Sequence, residues 1–406
     1  MALKIVHLSD VANLVQVPTN PHKLFQGNIQ NEDCVNKEKM RSFQLPKKFL
    51  VMGHRGSGMN LLQSTDPRMK LIRENSMRAF NAARRFNINF IEFDVQVSME
   101  HYLHSFKIIH LTQHCKNINQ FFVQVTKDGY PVIFHDISIL TQEKGAMSEK
   151  KVTDINLHEF LSYGPQKEPQ KMGKPLFRKS KDGRIFEWKV AEEDHLCTLQ
   201  QVFEEIDPTL GFNIELKFDN NVIYKQEQLL RALKIVLQVV FEHSKDRPII
   251  FSSFQPDAVL LIRNLQSTYP VYFLTNGGSE IYPDVRRNSL DEALNLCVQG
   301  GLQGIVSEVK AVLRNPGAIN KIKESNLSLM TYGQLNNVAE VVQMQYLLGI
   351  EGVIVDLVKE ITEIVAQFQR ATENKELTFQ GVVNKTLCSK DEISCFLRLI
   401  PELVNV

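Results

Sequence analysis

Three features of the sequence predict an α/β fold of the (β/α)8 barrel type. Eight short apolar runs recur along the chain, each ending in a polar residue or a glycine. Helix-like segments separate the later runs, the order expected of βαβ units on a parallel sheet. The polar residues gather at the C-terminal ends of the runs, where a barrel has its catalytic mouth. An open doubly wound sheet would carry a G-x-G-x-x-G after its first strand, and none follows here.

Residues 1–48 read as a polar, partly ordered lead-in, and the barrel is expected over 49–370. Its strands fall at "FLVMGH" (49–54), "FIEFDV" (90–95), "GFNIELKF" (211–218), "PIIFSSF" (248–254), "VYFLT" (271–275), "GIVSE" (304–308), "SLMTYG" (328–333) and "GVIVD" (352–356). "QLLRALKIVLQVVFEHS" and "VAEVVQMQYLLGI" read as helices between them, and "VKEITEIVAQFQR" as the last one. A polar linker (371–390) leads to "DEISCFLRLIPEL", expected to dock as a C-terminal helix on the barrel exterior. A short β-hairpin insertion is expected after the second strand. The stretch "GPQKEPQKMGKPLFRKSKDGRIFEW" (164–188) reads as a solvated loop, with steering of an anionic substrate by its basic residues as the weaker alternative. It contains the lone tryptophan, Trp188, so no aromatic cage is expected at the mouth.

Composition excludes several classes. Lys and Arg number 47 against 46 Asp and Glu, a net charge of +1 that gives no support for a nucleic-acid or anionic-membrane partner. The six cysteines are widely spaced without a C-x-x-C pair, which suggests a reducing compartment and no disulfide framework. No apolar run approaches the roughly 20 residues of a transmembrane helix. The first twenty residues lack a secretory apolar region. A cytoplasmic location is expected, with the plastid stroma as the alternative.

Glu92 and Asp94 lie two apart on a strand, so both face one side and Phe93 the other. Glu215 and Lys217 repeat the pattern in "NIELKF". Carboxylates at two strand ends near a barrel mouth make a hard oxygen site for Mg²⁺ or Ca²⁺. Each pair alone reads better as a salt-bridged sheet edge; together, in one ordered series of barrel strands, the two favour the metal. "GHRGSGMN" ends the first strand, with His54 and Arg55 placed where Gly53 and Gly56 allow a sharp turn. Arginine suits phosphate and histidine suits acid–base work near neutral pH. "VIFHD" supplies a second histidine, His135.

Taken in order, "GHRGSGMN", "RENSMRAFNAA", "FIEFDVQ", "VTKDGYPVIFHD", "IELK" and "FSSFQPDA" resemble the glycerophosphodiester phosphodiesterase family in its plant branch, over Phe49 to Asp356. The resemblance implies a TIM barrel, in agreement with the strand count. It implies that Glu92, Asp94 and Glu215 are divalent-metal ligands and that His54 and His135 are the acid–base pair. Arg55 matches the phosphate contact, and Lys217 a cation near metal and phosphate. Glu74 and Asn75 match an E-N motif with a supporting role. The implied reaction is hydrolysis of a glycerophosphodiester to sn-glycerol 3-phosphate and an alcohol, with Mg²⁺ or Ca²⁺ as cofactor and a small-molecule partner. Which histidine is acid and which base stays open, as does the attack of water or of a glycerol hydroxyl. A cyclising, phospholipase-D-like lyase on the same barrel is the alternative chemistry. A barrel that binds phosphodiesters or a partner without turnover is the alternative class.

The sequence departs from the family between the E-x-D and H-D motifs. "VQV" occurs at Val95–Val97 and again at Val123–Val125, and removing 97–124 joins the motifs without a seam. Val97-Ser98 can be encoded as a splice donor, and Phe121 to Gln124 as a pyrimidine tract ending in an acceptor. We therefore read 97–124 as a translated intron. The alternative is a zinc-binding lid built on His101, His104, His110 and His114, with Cys115 adjacent. On either reading the second VQV, beside the Lys127–Asp128–Gly129 turn, is expected to hold the register of the hairpin, while the first merely continues its strand.

Overall fold

The computed structural model describes residues 48–376, apart from 87, 97–125, 169 and 221. The lead-in, the 97–124 segment with its histidines and second VQV, and the terminal docking helix therefore lie outside the described residues.

The eight expected strands close into one parallel barrel. They are β1 (Leu50–Gly53), β2 (Phe90–Gln96), β8 (Gly211–Lys217), β9 (Ile249–Ser253), β10 (Val271–Thr275), β11 (Gly304–Glu308), β12 (Ser328–Tyr332) and β13 (Gly352–Val355). Each pairs in parallel with its neighbour, and β1 pairs with both β13 and β2, which completes the ring. The strand period decides which side chains face inward. Leu50, Met52, Phe90, Ile250, Tyr272, Leu274, Val306, Met330 and Ile354 fill the barrel. The alternate residues, such as Val51, Phe93, Ile214 and Phe251, pack outward against the helices. Gly211 makes room for the barrel floor, since a Cβ there would sit 2.5 Å from the Phe90 ring.

The helices follow their capping signals. Ser76 caps α1 (Met77–Arg84) by accepting from the backbone of Ala79, and α2 (Leu157–Leu161) is capped by Asn156. Thr198 and Gln201 form a capping box on α3 (Leu199–Glu205). The outer layer continues with α4 (Gln226–His243), α5 (Pro256–Leu265), α6 (Leu290–Gly300), α7 (Val309–Arg314), α8 (Gly317–Glu324) and α9 (Ala339–Leu347). The last helix, α10 (Val358–Glu376), begins as expected and runs past residue 370.

The insertion after β2 is larger than a hairpin. A short strand, β3 (Val132–Ile133), runs antiparallel to the end of β2. Then β4 (Ser138–Glu143), β5 (Ala146–Lys151), β6 (Phe177–Lys179) and β7 (Ile185–Glu187) form a separate antiparallel sheet in the order β5-β4-β6-β7. It has its own apolar cluster, including Ile139, Phe160, Tyr163, Leu176 and Trp188. The stretch 164–188 is thus a solvated loop only in its first half: the described residues up to Pro175 form no strand of this sheet and are largely exposed, while 176–188 is built into the sheet and its core. Its "KSKDGR" segment turns a hairpin between β6 and β7, and Trp188 is buried.

The register of β3 corrects the reading of the repeated VQV. Val95 pairs with Ile133 and Gln96 with Val132, so the first copy does not merely continue its strand but aligns the arm that carries His135, while the second copy lies outside the described residues. The reason lies in β2. Its first residues pair with β1 only as far as Ile91, while its other edge pairs with β8 through Gln96. The outer end of β2 thus has an open edge, and β3 satisfies its backbone groups.

Candidate active site

The C-terminal ends of the barrel strands and one edge of the four-stranded sheet enclose a cavity of about 640 Å³. His54, Arg55, Glu92, His135, Glu215 and Lys217 line it. The sequence-predicted residues therefore converge, with Asp94, Glu74 and Asn75 buried against the lining groups.

The turn after β1 sets the first two. A Cβ on Gly53 would lie 2.0 Å from the carbonyl oxygen of Gly56, so only glycine fits. Arg55 then adopts a left-handed backbone (φ 48°), and so does Asn75 (φ 53°). Such conformations cost free energy in a non-glycine residue and are held by surrounding bonds. The Arg55 N–H donates to Glu92 Oε2 at 2.9 Å and its Nη1 to Glu74 Oε1 at 2.7 Å. Asn75 Nδ2 donates to Asp94 Oδ2 at 2.8 Å. The E-N pair thus orients both the arginine and a carboxylate.

On β2 and β8, Asp94 and Glu215 are register partners, as are Gln96 and Lys217. Ligand atoms of Glu92, Asp94 and Glu215 all lie within 4.8 Å of one another, and the three residues are buried. Oxygens on one Mg²⁺ or Ca²⁺ sit roughly 2.0–2.6 Å from the ion, so donors spaced in this way can share it. Oε1 of Glu92 is buried with no hydrogen-bond partner. Burial, and next the Asp94 charge, pushes the Glu92 carboxyl well up. Burial also raises Glu215, although Lys217 Nζ stands 2.8 Å from its Oε1. Carboxylates raised by burial beside an unpartnered oxygen suit a bound cation, and the donor set fits a hard divalent metal.

Each histidine is tied to its own carboxylate. His54 Nδ1 lies 2.7 Å from Asp356 Oδ1, and its Nε2 lies 4.0 Å from Glu92 Oε2. Burial works to lower the His54 pKa, but the charge and hydrogen bond of Asp356 outweigh it and the net shift is upward. His135 Nδ1 lies 2.8 Å from Asp136 Oδ1. Burial, then the charges of Arg55 and Lys217, takes His135 down to about 4. Lys217 also approaches Asp94 Oδ1 at 3.5 Å. With Arg55 it brings positive charge beside the carboxylates.

Some site residues were not foreseen. Asp356 is the polar residue that ends the eighth run, in the same position as the other strand-end groups, and that placement was its signal. Asp136 follows His135 directly in "VIFHD". Arg178 comes from β6 and donates to Asp136 Oδ2 and Glu74 Oε1, each at 2.8 Å. The D-G turn between its strand and the next was the available sign. Among the aromatic residues that line the cavity, Phe254 and Tyr332 meet edge to face with ring centroids 5.9 Å apart.

The chain is similar to known proteins in both sequence and fold. The family model of the glycerophosphoryl diester phosphodiesterase family matches residues 54–122 and 121–360, the two matches meeting inside the 97–124 segment. The chain is 51% identical over 406 residues to glycerophosphodiester phosphodiesterase GDPD1, chloroplastic, of Arabidopsis thaliana, covering all of both chains. Among solved structures, a glycerophosphodiester phosphodiesterase from Parabacteroides distasonis superposes with a TM-score of 0.51 at 16% identity, covering 79% of this chain and 99% of the other. A phosphodiesterase from Oleispira antarctica, solved with the product sn-glycerol-3-phosphate, gives a TM-score of 0.50 at 17% identity, covering 78% and 96%. The structures share the fold. The family match and the full-length relative show that the chain belongs to the glycerophosphoryl diester phosphodiesterase family.

Proposed function

We propose that the barrel mouth hydrolyses glycerophosphodiesters, such as glycerophosphocholine, to sn-glycerol 3-phosphate and an alcohol. The observation that carries the reading is the carboxylate trio, Glu92, Asp94 and Glu215, lying against the same cavity as two carboxylate-held histidines. The names of the full-length plant relative and of the family point to the same reaction class.

The trio would hold Mg²⁺ or Ca²⁺, and a bound divalent cation supplies charge stabilisation to a phosphoryl oxygen. Arg55 and Lys217 would face the phosphate, adding fixed positive charge where negative charge builds in the transition state. Glu74 fixes Arg55 through its 2.7 Å bond, so the guanidinium need not reorganise during reaction. With Nδ1 engaged by Asp356 or Asp136, each histidine keeps Nε2 for proton transfer. One accepts the proton of the attacking oxygen as the new P–O bond forms. The other delivers a proton to the alcohol oxygen as the old P–O bond breaks.

The compartment belongs to the same proposal. Among the described residues no helix is long and apolar enough to cross a membrane. The name of the plant relative supports the plastid stroma over the cytoplasm. A fluorescent fusion of the full chain that fills the cytoplasm and avoids plastids overturns that choice.

The activity is tested by supplying glycerophosphocholine to the purified chain with Mg²⁺ or Ca²⁺ and following products by phosphorus NMR. Release of sn-glycerol 3-phosphate is the expected result. A cyclic phosphate as end product identifies the lyase instead, and no turnover with either ion leaves a binding barrel.

A further inference from the structure

Nothing in the family's motifs as read above reaches into the four-stranded sheet, yet that sheet brings Arg178 into hydrogen-bond contact with two carboxylates of the site. Arg178 sits in the middle of β6, with Phe177 and Lys179 on the opposite phase of the strand. Its side chain is only 13% exposed. Nε donates to Asp136 Oδ2 at 2.8 Å, and Nη2 donates to Glu74 Oε1 at 2.8 Å. A weaker bond runs from Nη1 to the Asn60 carbonyl at 3.4 Å. The guanidinium lies over the Trp188 ring, 3.6 Å from its centroid. Trp188 is anchored in turn by Nε1 donating to Asn60 Oδ1 at 3.0 Å. Asn60 closes the circuit, since its backbone N–H donates to Glu74 Oε2 and its Oδ1 accepts from the Glu74 N–H at 3.1 Å.

The two carboxylates bound by Arg178 are the ones that hold two groups of the site. Asp136 offers Oδ1 to His135 and Oδ2 to Arg178, so the arginine fixes the plane of the carboxylate that orients the imidazole. Glu74 Oε1 accepts from both Arg55 and Arg178, so the same arginine fixes the anchor of the other guanidinium. We propose that Arg178 is a positioning residue for the reaction, setting His135 through Asp136 and Arg55 through Glu74, with Trp188 as the shelf that holds it. This rests on the hydrolytic reading given above. It assigns the four-stranded sheet a part in the active site: the barrel and the β3 arm supply the reacting groups, and the sheet sets the angles of two of them.

Two alternatives predict different behaviour. If the ion pairs merely fasten the sheet to the barrel, their loss lowers stability and leaves turnover per folded molecule intact. If Arg178 grips the phosphate directly, its loss weakens substrate binding. Both main N–H directions are already spent on carboxylates, which favours positioning. Lysine cannot replace a planar fork that spans two separate carboxylates. Misplacement of catalytic groups by an ångström can cost about 100-fold.

The test uses the full chain with Mg²⁺ and glycerophosphocholine, reading kcat and KM per folded molecule for Arg178→Met, Arg178→Lys and Arg178→Ala. We expect kcat to fall by about 10- to 100-fold in all three, while KM changes far less than kcat. Guanidinium ion added to Arg178→Ala should recover part of the lost kcat. In [15N]histidine spectra, the His135 Nδ1 signal, assigned with His135→Ala, should change in Arg178→Met and stay in place in the wild type on adding guanidinium. A kcat near wild type, or a rise in KM larger than the fall in kcat, overturns the proposal. So does an unmoved His135 signal, which is readable even if Arg178→Ala does not fold. Should the wild type release no sn-glycerol 3-phosphate, the hydrolytic reading fails by itself, and the histidine spectra still decide whether Arg178 orients His135.

Discussion

His54 Nδ1 lies 2.7 Å from Asp356 Oδ1, although 302 positions separate the two residues. Barrel closure makes the pair, because β13 lies beside β1. Asn337 holds the other oxygen of Asp356 at 3.0 Å and accepts from the Asp356 N–H at 2.8 Å, while the Met59 N–H donates to Oδ1 at 2.9 Å. The carboxylate is therefore fixed before it meets the histidine. Asp356→Asn should leave the barrel folded and lower kcat by about two to four orders of magnitude, because the ring loses its preferred tautomer and orientation. A folded Asp356→Asn protein with near-normal kcat would show that His54 does not depend on this contact.

Asp136 gives a pH-dependent prediction. Burial works to raise its pKa, but Arg178 and His135 hold it at about 2, against an ordinary value of 3.8. A carboxylate whose folded pKa is depressed adds stability above its unfolded pKa and loses it as pH falls through the folded one. The contribution, on the order of 2 kcal/mol, should be complete above about pH 4 and fade toward pH 2. The difference in melting temperature between wild type and Asp136→Asn should narrow as pH drops from 5 to 3. A difference that stays constant or widens over that range refutes the assignment of this ion pair.

The barrel was legible because period and order carry it. All eight strands fall within one or two residues of the apolar runs, and the inward phase of Glu92, Asp94, Glu215 and Lys217 follows from alternation alone. Contacts made by closure or by the inserted sheet were not legible. Asp356 stands at a strand end like the assigned residues, but its partner is a chain length away. Arg178 is hidden in a Lys-rich stretch whose charge suggests solvent, and only the alternation of "FRK" and "IFEW" around a D-G turn marks the hairpin. The part played by the first VQV was not legible, because local sequence puts only the second copy beside the turn. The open edge of β2, a tertiary feature, decides the pairing.

Deletion of 97–124 remains a direct test of the repeated segment. Gln96 would join Val125, leaving Val125–Pro131 to connect Gln96 with its register partner Val132. The β2–β3 register joins residues that the deletion keeps, and the Thr126–Tyr130 turn is closed by its own bonds. The shortened chain should express better, melt higher and turn over substrate faster than the full chain. An unfolded or inactive deletion, with the full chain active, would show that the segment is a working lid.

The proposed mechanism requires that Glu92, Asp94 and Glu215 hold a divalent cation on which hydrolysis depends. Its most direct measurement is release of sn-glycerol 3-phosphate by the full chain after chelation and after return of Mg²⁺ or Ca²⁺, alongside Glu92→Gln, Asp94→Asn and Glu215→Gln with metal affinity read by calorimetry. Chelation should stop the wild type, one of the ions should restore it, and each amide variant should fold, bind metal more weakly and fall by about two orders of magnitude or more in rate. Turnover that survives chelation, or unchanged metal affinity in all three variants, would contradict it.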